Sequence, residues 1–330
     1  MDDAPHFRIE QLEVPAADRG LLLFLWHKGS PWIEDIGRRL EGKCPGSLDR
    51  FWVAYDGPVM AAQVWYTIAA ADPRTGLLGH VFTRPEYRRR KLSTRLMAAA
   101  LERFAREGGR LMQLFTYNPD TLPFYERLGF ETVRASRVAH AADWYMRSPV
   151  GAECLLDEWF SGRTCRIRPL APADLPQYCL LYNVEYQTRL KDRAQGIGLG
   201  LETELTFITS TQRIQRGKAA CCALDNGRTI VGISSLVCSD FPHQAHVGLV
   251  DCYTHPGFRA HAGELLEAVL AAGKPLGLEI VYALAVDEPK RELFAALGFR
   301  HLGRLARHYQ ADGQSMDCDL FQVGARRSQS

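Results

Sequence analysis

The sequence predicts an α/β (α+β) fold built as two tandem copies of one unit, and three observations lead to this prediction. The chain has 330 residues, which at about 150 residues per domain corresponds to two domains. Sequence segments near residue 80 recur near residue 251, and segments near residue 125 recur near residue 294. Within the first copy, alternating apolar residues typical of strands precede apolar residues at helical spacing.

The composition is that of a globular protein and excludes several functional classes. Hydrophobic residues make up 46% and charged residues 24% of the chain, which is too apolar for a disordered protein. The formal net charge is only +2, so no global field favours a nucleic acid or an anionic membrane. The apolar run at residues 21–26 is far shorter than the roughly 20 residues of a spanning helix. We therefore expect that the protein binds neither a nucleic acid nor a membrane.

The amino terminus and the cysteines predict a cytoplasmic protein. Residues 1–8 are acidic and polar, and they lack the basic start and apolar stretch of a signal peptide. The nine cysteines show neither a CxxC pair nor the regular spacing of a disulfide framework. We therefore expect reduced thiols, no metal site and a cytoplasmic location.

Two pairs of segments establish the repeat. GHVFTRPEYR at residues 79–88 aligns without a gap over VDCYTHPGFR at residues 250–259, an offset of 171. FYERLGF at residues 124–130 aligns over LFAALGF at residues 293–299, and here the offset is 169. Turn-rich stretches between the copies predict a first domain at residues 1–150, a linker at 151–164 and a second domain at 165–330.

In order along the first copy, the pattern predicts a group of strands, a long helix, a strand and a short helix. The first two strands alternate apolar and polar residues, and Asp56 and Gly57 between them are a hairpin turn signal. The long helix has apolar residues on one face and charged residues on the opposite face, and two glycines end it. The predicted elements are strands at 49–55, 59–68 and 77–83, a helix at 94–106, a strand at 110–117 and a helix at 122–128.

A basic turn joins the strand that ends at Thr83 to the long helix. It has the sequence RPEYRRRKLS at residues 84–93. The start of a helix offers unpaired N–H groups and the positive end of the helix dipole, and four consecutive cations stand beside it here. The basic turn is therefore a candidate site for a diphosphate, although a solvated surface turn explains the charge alone equally well.

The strand, the basic turn, the amphipathic helix, the next strand and FYERLGF together resemble the acyl-CoA motifs of the GNAT superfamily of N-acetyltransferases. The resemblance covers about residues 76–133. It implies two tandem GNAT-like domains, each with a mixed, mostly antiparallel, twisted sheet flanked by helices. The phosphate-loop pattern of the family falls on Arg88, Lys91 and Ser93, where Lys91 and Ser93 replace its two small residues.

The resemblance also implies acetyl-CoA as co-substrate, with no metal. Backbone N–H groups of the basic turn would hold the diphosphate, strand-edge groups would bond the pantetheine amides, and Asn118 would help to hold the CoA arm. The implied contacts are Val81, Phe82, Thr83, Arg88, Arg89, Arg90, Lys91, Leu92, Ser93, Thr94 and Asn118.

Two residues are candidates for proton transfer. Tyr125 matches the family's tyrosine whose hydroxyl protonates the departing CoA thiolate, although a core aromatic is its alternative role. His80 lies on the strand that leads into the basic turn, and its ordinary pKa of about 6.5 suits a general base for the amine. A structural histidine is the alternative for His80.

The region that covers the acceptor in the resembled fold contains Trp26, Trp32, Glu34 and Asp35, between the first two predicted helices. Aromatic rings and carboxylates suit a basic, partly apolar amine. Surface packing explains these residues equally well.

The second copy lacks several of these features. Phe294 stands where Tyr125 stands, so no hydroxyl is available there. The segment after Arg259 is shorter than the basic turn, and Glu264 would repel a diphosphate. We therefore expect a degenerate domain that supports the fold or shapes the acceptor pocket.

The predicted function is transfer of an acyl group, most simply acetyl, from acyl-CoA to a primary amine of a small molecule by direct attack. Two alternatives remain. One is a GNAT-like domain that loads or decarboxylates acyl groups on a carrier protein, which carbon dioxide release from malonyl-CoA would reveal. The other is a non-catalytic acyl-CoA-binding module.

Overall fold

The computed structural model divides the chain into two compact units. One comprises Met1–Glu153 with Ala171–Leu180, and the other comprises Cys154–Leu170 with Leu181–Ser330. The structure describes residues 7–16, 20–138, 141–149, 151–162, 164–184, 188, 190–198, 203–311 and 314–324.

The first unit is built around one seven-stranded sheet with the strand order β1-β2-β3-β4-β5-β7-β6. The pair β4 and β5 is parallel, and the other neighbouring strands are antiparallel. Its elements are β1 (Arg8–Leu12), α1 (Gly20–Phe24), α2 (Trp32–Leu40), β2 (Ser47–Asp56), β3 (Val59–Ala69), β4 (Asp72–Thr83), α3 (Leu92–Arg106), β5 (Leu111–Thr116), α4 (Leu122–Glu126), β6 (Glu131–Val138) and β7 (Ala141–Ser148).

A second seven-stranded sheet repeats this order as β8-β9-β10-β11-β12-β14-β13, again with one parallel pair, β11 and β12. The fold-class prediction of two mixed, mostly antiparallel sheets flanked by helices is therefore confirmed. The remaining elements are α5 (Glu153–Trp159), β8 (Arg166–Pro169), α6 (Leu175–Val184), α7 (Thr203–Gln215), β9 (Ala219–Asp225), β10 (Ile230–Cys238), β11 (Val247–Thr254), α8 (Ala262–Ala272), β12 (Ile280–Ala285), α9 (Glu288–Ala296), β13 (Arg300–Ala311) and β14 (Gln314–Gly324).

Several element boundaries differ from the sequence-based prediction. α3 begins at Leu92 rather than residue 94, so its first turn lies inside the basic turn. β4 begins at Asp72 rather than residue 77, and α4 ends at Glu126 rather than residue 128. The structure also places Trp32 at the start of α2, with Glu34 and Asp35 inside that helix rather than between helices.

The two faces of the first sheet are packed differently. The apolar face of α3, including Leu96, Met97 and Ala100, is buried against one face. The other face carries a buried ion cluster in which Arg39 donates from Nε to Asp35 at 2.5 Å and from Nη1 to Asp49 at 3.0 Å. A buried ion cluster is tolerated because each charge has an opposite partner and hydrogen bonds.

Candidate acyl-CoA site

β4 and β5 separate at the end where the candidate site lies. Their parallel pairing joins Thr75 to Leu111 and ends with Leu78 opposite Leu114. Residues 79–83 of β4 continue without a β5 partner, so their backbone groups on that side have no ladder to join. This gap contains the strand-edge groups of Val81, Phe82 and Thr83 that were predicted to meet the pantetheine amides.

The backbone of the basic turn has an unusual conformation. Arg89 and Lys91 have φ angles of 63° and 58°, both in the left-handed region. Lys91 is also the residue that precedes α3, and no side chain caps the helix at this position. Left-handed residues beside a helix start direct successive N–H groups into one concave surface, which is a backbone nest for anions. Lys91 therefore adopts the conformation for which glycine is the usual residue.

A cavity of about 270 Å³ lies over this nest. The cations at residues 88–91 form no ion pair with the residues that the structure describes, so none of these residues compensates their positive charge. Positive charge at an uncapped helix start favours a negatively charged group. The cavity is lined by Thr83, Tyr87, Arg88, Arg89, Lys91, Leu92, Ser93, Thr94 and Phe124.

Side-chain contacts hold the basic turn in place. The hydroxyl groups of Thr83 and Ser93 are 2.7 Å apart, which links the end of β4 to the first turn of α3. The Arg90 guanidinium lies 5.3 Å from the centre of the Tyr87 ring and 5.9 Å from that of Phe7, within cation–π range. Arg90 is therefore anchored on aromatic rings, and it does not line the cavity.

Asn118 follows β5 and begins a short 3₁₀ helix. Its side-chain oxygen accepts a hydrogen bond from the Asp120 backbone N–H at 3.0 Å. The carboxamide oxygen is thus used in the local turn, and the Nδ2 group is the part of Asn118 left to meet a ligand.

His80 is buried in β4 between two tryptophan rings. Its ring lies 5.7 Å from Trp32, edge to face, and 5.0 Å from Trp65. The backbone is left-handed, with φ at 52°, and the Nε2 atom has no hydrogen-bond partner among the described residues. Burial lowers the pKa of His80 well below its ordinary value, and the positive charges of Lys28 and Arg39 lower this pKa further. The imidazole is therefore neutral at pH 7.

Tyr125 lies in α4 and is 7% exposed. Its ring packs edge to face against Phe124 at 5.1 Å and Phe130 at 6.1 Å. Its hydroxyl makes no hydrogen bond with the described residues. Burial raises the pKa of Tyr125 to about 12, so the hydroxyl keeps its proton at neutral pH and can only donate it.

The four residues predicted to meet the acceptor have different environments. Trp26 is 74% exposed, whereas Trp32 packs against His80. Glu34 accepts a hydrogen bond from Ser30 at 2.7 Å on the surface. The carboxylate of Asp35 is buried and paired with Arg39, so it already has a structural partner. Trp32 is therefore in contact with a candidate catalytic residue.

Sequence reasoning missed two residues that line the cavity, Tyr87 and Phe124. Both lie within motifs that had been singled out, PEYR and FYERLGF, so the signal was present but was assigned to their neighbours. No set of three or more His, Cys, Asp or Glu side chains in the described part of the chain is arranged to hold a metal ion. No helix in the described ranges is long and apolar enough to span a membrane.

The second unit differs at the matching positions. α8 follows β11 after a 3₁₀ helix, Pro256–His261, and the described residues at this junction contain no left-handed residue. Phe294 is fully buried and packs against Phe299 and Phe321 at 5.4 and 5.7 Å. At the offset of 171, Asp251 stands where His80 stands.

Asp251 is engaged by its own unit. The Lys290 Nζ atom donates to it at 2.6 Å, and the Arg193 backbone N–H donates to it as well, also at 2.6 Å. Burial raises the pKa of Asp251 to about 6, against the effect of Lys290. The position that corresponds to His80 is thus filled by a buried ion pair.

The sequence was compared with models of protein families and with curated protein sequences. Residues 47–132 match the family model of the acetyltransferase (GNAT) domain. The comparison with curated protein sequences gives no match.

Solved structures of similar fold include three acetyltransferases. A putative acetyltransferase from Salmonella typhimurium with its cofactor acetyl-CoA is 16% identical, with a TM-score of 0.44 over 51% of this chain and 98% of that one. A ribosomal-protein-alanine N-acetyltransferase from Brucella melitensis is 19% identical, with a TM-score of 0.41 over 48% and 99% of the two chains. A phosphinothricin acetyltransferase from Sinorhizobium meliloti in complex with acetyl-CoA is 18% identical, with a TM-score of 0.42 over 49% and 89%. At these identities no acceptor and no residue role transfers to this chain.

Proposed function

We propose that the first unit transfers an acetyl group from acetyl-CoA to a primary amine of a small molecule, since residues 47–132 match the family model of the acetyltransferase (GNAT) domain. The observation that carries this proposal is the cavity over the uncapped start of α3, where left-handed Arg89 and Lys91 form no ion pair with the described residues. A diphosphate is the part of acetyl-CoA whose charge suits this cavity.

The remaining part of acetyl-CoA follows the gap between β4 and β5. Unpaired backbone groups of residues 79–83 are available there to amides of an extended chain, which binds as a further strand would. The thioester then lies towards His80, where the pairing of β4 with β3 shifts register.

His80 and Tyr125 have the protonation states that direct transfer needs. The amine nitrogen attacks the thioester carbonyl carbon, and neutral His80 takes the proton that the nitrogen loses. The bond from carbon to sulfur breaks, and the Tyr125 hydroxyl gives its proton to sulfur. Proton exchange with solvent restores both residues. General acid and general base catalysis of this kind contributes about 10²- to 10⁴-fold each.

A Tyr125→Phe variant tests this assignment. We expect the variant to bind acetyl-CoA with nearly normal affinity and to lose about 10²-fold or more in kcat, because only the acidic proton is removed. Stability should stay within about 0.5 kcal/mol of the unchanged protein, since the hydroxyl has no partner to lose. Calorimetric titration with acetyl-CoA measures the affinity, and a thiol-release assay over a panel of amines measures kcat.

The matched control is Tyr66→Phe. It removes the same atom from a tyrosine whose hydroxyl donates to Glu107 at 2.8 Å, so stability should fall while turnover is kept. Unchanged turnover in Tyr125→Phe removes Tyr125 from the mechanism. Tight acetyl-CoA binding with no turnover of any amine favours a binding module, and carbon dioxide release from malonyl-CoA favours the carrier-protein alternative.

A further inference from the structure

Three buried side-chain polar atoms of β3 and β4 have no hydrogen-bond partner among the described residues. They are Oε1 and Nε2 of Gln63 and Nε2 of His80. Gln63 is 0% exposed. Buried amides are nearly always hydrogen-bonded in folded proteins, because an unpaired one loses its water without compensation. Oε1 and Nε2 of Gln63 are therefore exceptions to this rule.

Gln63 and His80 lie on the same face of the sheet at the bulge of β4. Gln63 pairs with Phe82 and Trp65 pairs with Gly79, so β4 has one residue more than β3 between these two pairs. Alternate residues of a strand share a face, which places Gln63 on the face of Trp65. The His80 ring packs against Trp65, so His80 is on that face too.

The surroundings of Gln63 on this face are aromatic. Its cross-strand partner Phe82 packs against Phe24 at 5.2 Å and His27 at 4.3 Å. These rings belong to α1 and a three-residue 3₁₀ helix, so short segments cover this part of the sheet. A short cover can be displaced by an entering molecule at less loss of packing than the fifteen-residue α3 on the other face.

Another buried glutamine of the same unit shows how the chain satisfies such a group. Gln113 on β5 is also 0% exposed. Its Nε2 group donates to the backbone oxygen of Pro176 at 2.6 Å, and its Oε1 atom accepts from the Tyr145 hydroxyl at 3.1 Å. Gln63 has the same burial without either partner.

We propose that Gln63 is a specificity-determining residue for the acceptor, and that the acceptor is a primary amine that carries an uncharged carboxamide or hydroxyl group. This inference rests on the proposed acetyltransferase function. A group with both a donor and an acceptor satisfies both ends of the Gln63 amide while the attacking nitrogen meets His80. A carboxylate satisfies only one end, because it accepts hydrogen bonds but has no proton to donate to Oε1 of Gln63.

The first arm of the test measures thermal stability without ligand. Gln63→Met keeps the length of the side chain and removes both unpaired atoms, so we expect an unchanged or higher unfolding temperature. Gln113→Met makes the same exchange where two hydrogen bonds exist, so its unfolding temperature should be lower. Equal losses in the two variants overturn the inference, because Gln63 is then satisfied within the fold.

The second arm measures kcat/KM, calculated on the concentration of neutral amine, with three amines of equal heavy-atom count, which are glycinamide, isobutylamine and glycine. We expect the unchanged protein to prefer glycinamide. Gln63→Met should lose about 10- to 100-fold with glycinamide and change little with isobutylamine, because only glycinamide bonds to the Gln63 amide. Acetyl-CoA affinity, measured by calorimetric titration, should be the same in both proteins.

Two outcomes separate this inference from the proposed function. If acetyl-CoA binds but glycinamide has no advantage over isobutylamine, or keeps its advantage in Gln63→Met, the inference is wrong and the proposed function stands. If the unchanged protein does not bind acetyl-CoA, the proposed function itself is wrong.

Discussion

His80 has a left-handed backbone conformation and a buried side chain. The two features together favour a functional role for this residue. A left-handed φ costs a branched or bulky residue about 1–2 kcal/mol, and such strain concentrates at functional sites. The ring is only 8% exposed, and burial keeps its pKa well below 6.5. In the role proposed for His80, the neutral imidazole accepts the proton that the attacking amine loses.

The low pKa of His80 predicts a dependence of stability on pH. In the unfolded chain the imidazole binds a proton near its ordinary pKa of about 6.5, whereas in the folded chain it does not. Stability should therefore fall as the pH decreases below 6.5, with a slope from this group of at most about 1.4 kcal/mol per pH unit.

The measurement is urea unfolding of the unchanged protein and of His80→Phe between pH 7.5 and pH 5. His80→Phe keeps an aromatic ring between the tryptophans and removes the titrating group, so its slope should be smaller. In the unchanged protein kcat/KM, calculated on the concentration of neutral amine, should stay constant as the pH is lowered to 6.5. Equal slopes in the two proteins contradict the assigned pKa.

Among the elements, the basic turn and the start of α3 form the diphosphate end of the proposed site. Two non-glycine residues take left-handed angles there, and contacts elsewhere must offset that strain. The hydrogen bond between Thr83 and Ser93 and the packing of Arg90 on Tyr87 are two such contacts. These contacts on both sides of the turn stabilise it, so a lysine can take the left-handed conformation that glycine usually adopts.

Substitutions at Lys91 separate backbone conformation from charge. Lys91→Gly and Lys91→Val remove the same charge, but only glycine adopts a φ of 58° without strain. We expect Lys91→Val to be less stable than Lys91→Gly by about 1–2 kcal/mol in urea unfolding. Acetyl-CoA affinity should be weakened more by Lys91→Val, and calorimetric titration measures it. Equal stability of the two variants contradicts the left-handed turn.

The sequence predicts the elements more fully than the site. Periodicity revealed α3 and the strands from β2 to β5, because burial of one face imposes a local pattern. The separation of β4 from β5 after Leu78 has no local signal, since it depends on strands far apart in sequence. A glycine is the usual sequence signal for a left-handed residue, so the lysine at position 91 did not predict this conformation. The unpaired amide of Gln63 emerges only once every neighbour is known.

In the molecule as a whole, one copy of the unit has the features that we propose bind acetyl-CoA, and the described residues of the other copy lack them. The described residues between β11 and α8 contain no left-handed turn, and Phe294 offers no acidic proton. The place of His80 is taken by Asp251, which is fixed by Lys290. Removing one partner of such a buried pair costs about 3–5 kcal/mol, so this position serves stability in the second unit.

The central claim is that acetyl-CoA binds at the basic turn of the first unit and at no matching place in the second. Calorimetric titration of the full chain tests it most directly, with Arg88→Glu/Arg89→Glu as the first-unit variant and Arg259→Glu as the matched control. The account predicts one acetyl-CoA per chain, lost in the first variant and kept in the control. Two molecules per chain, or binding that survives the double variant and disappears in Arg259→Glu, would contradict it.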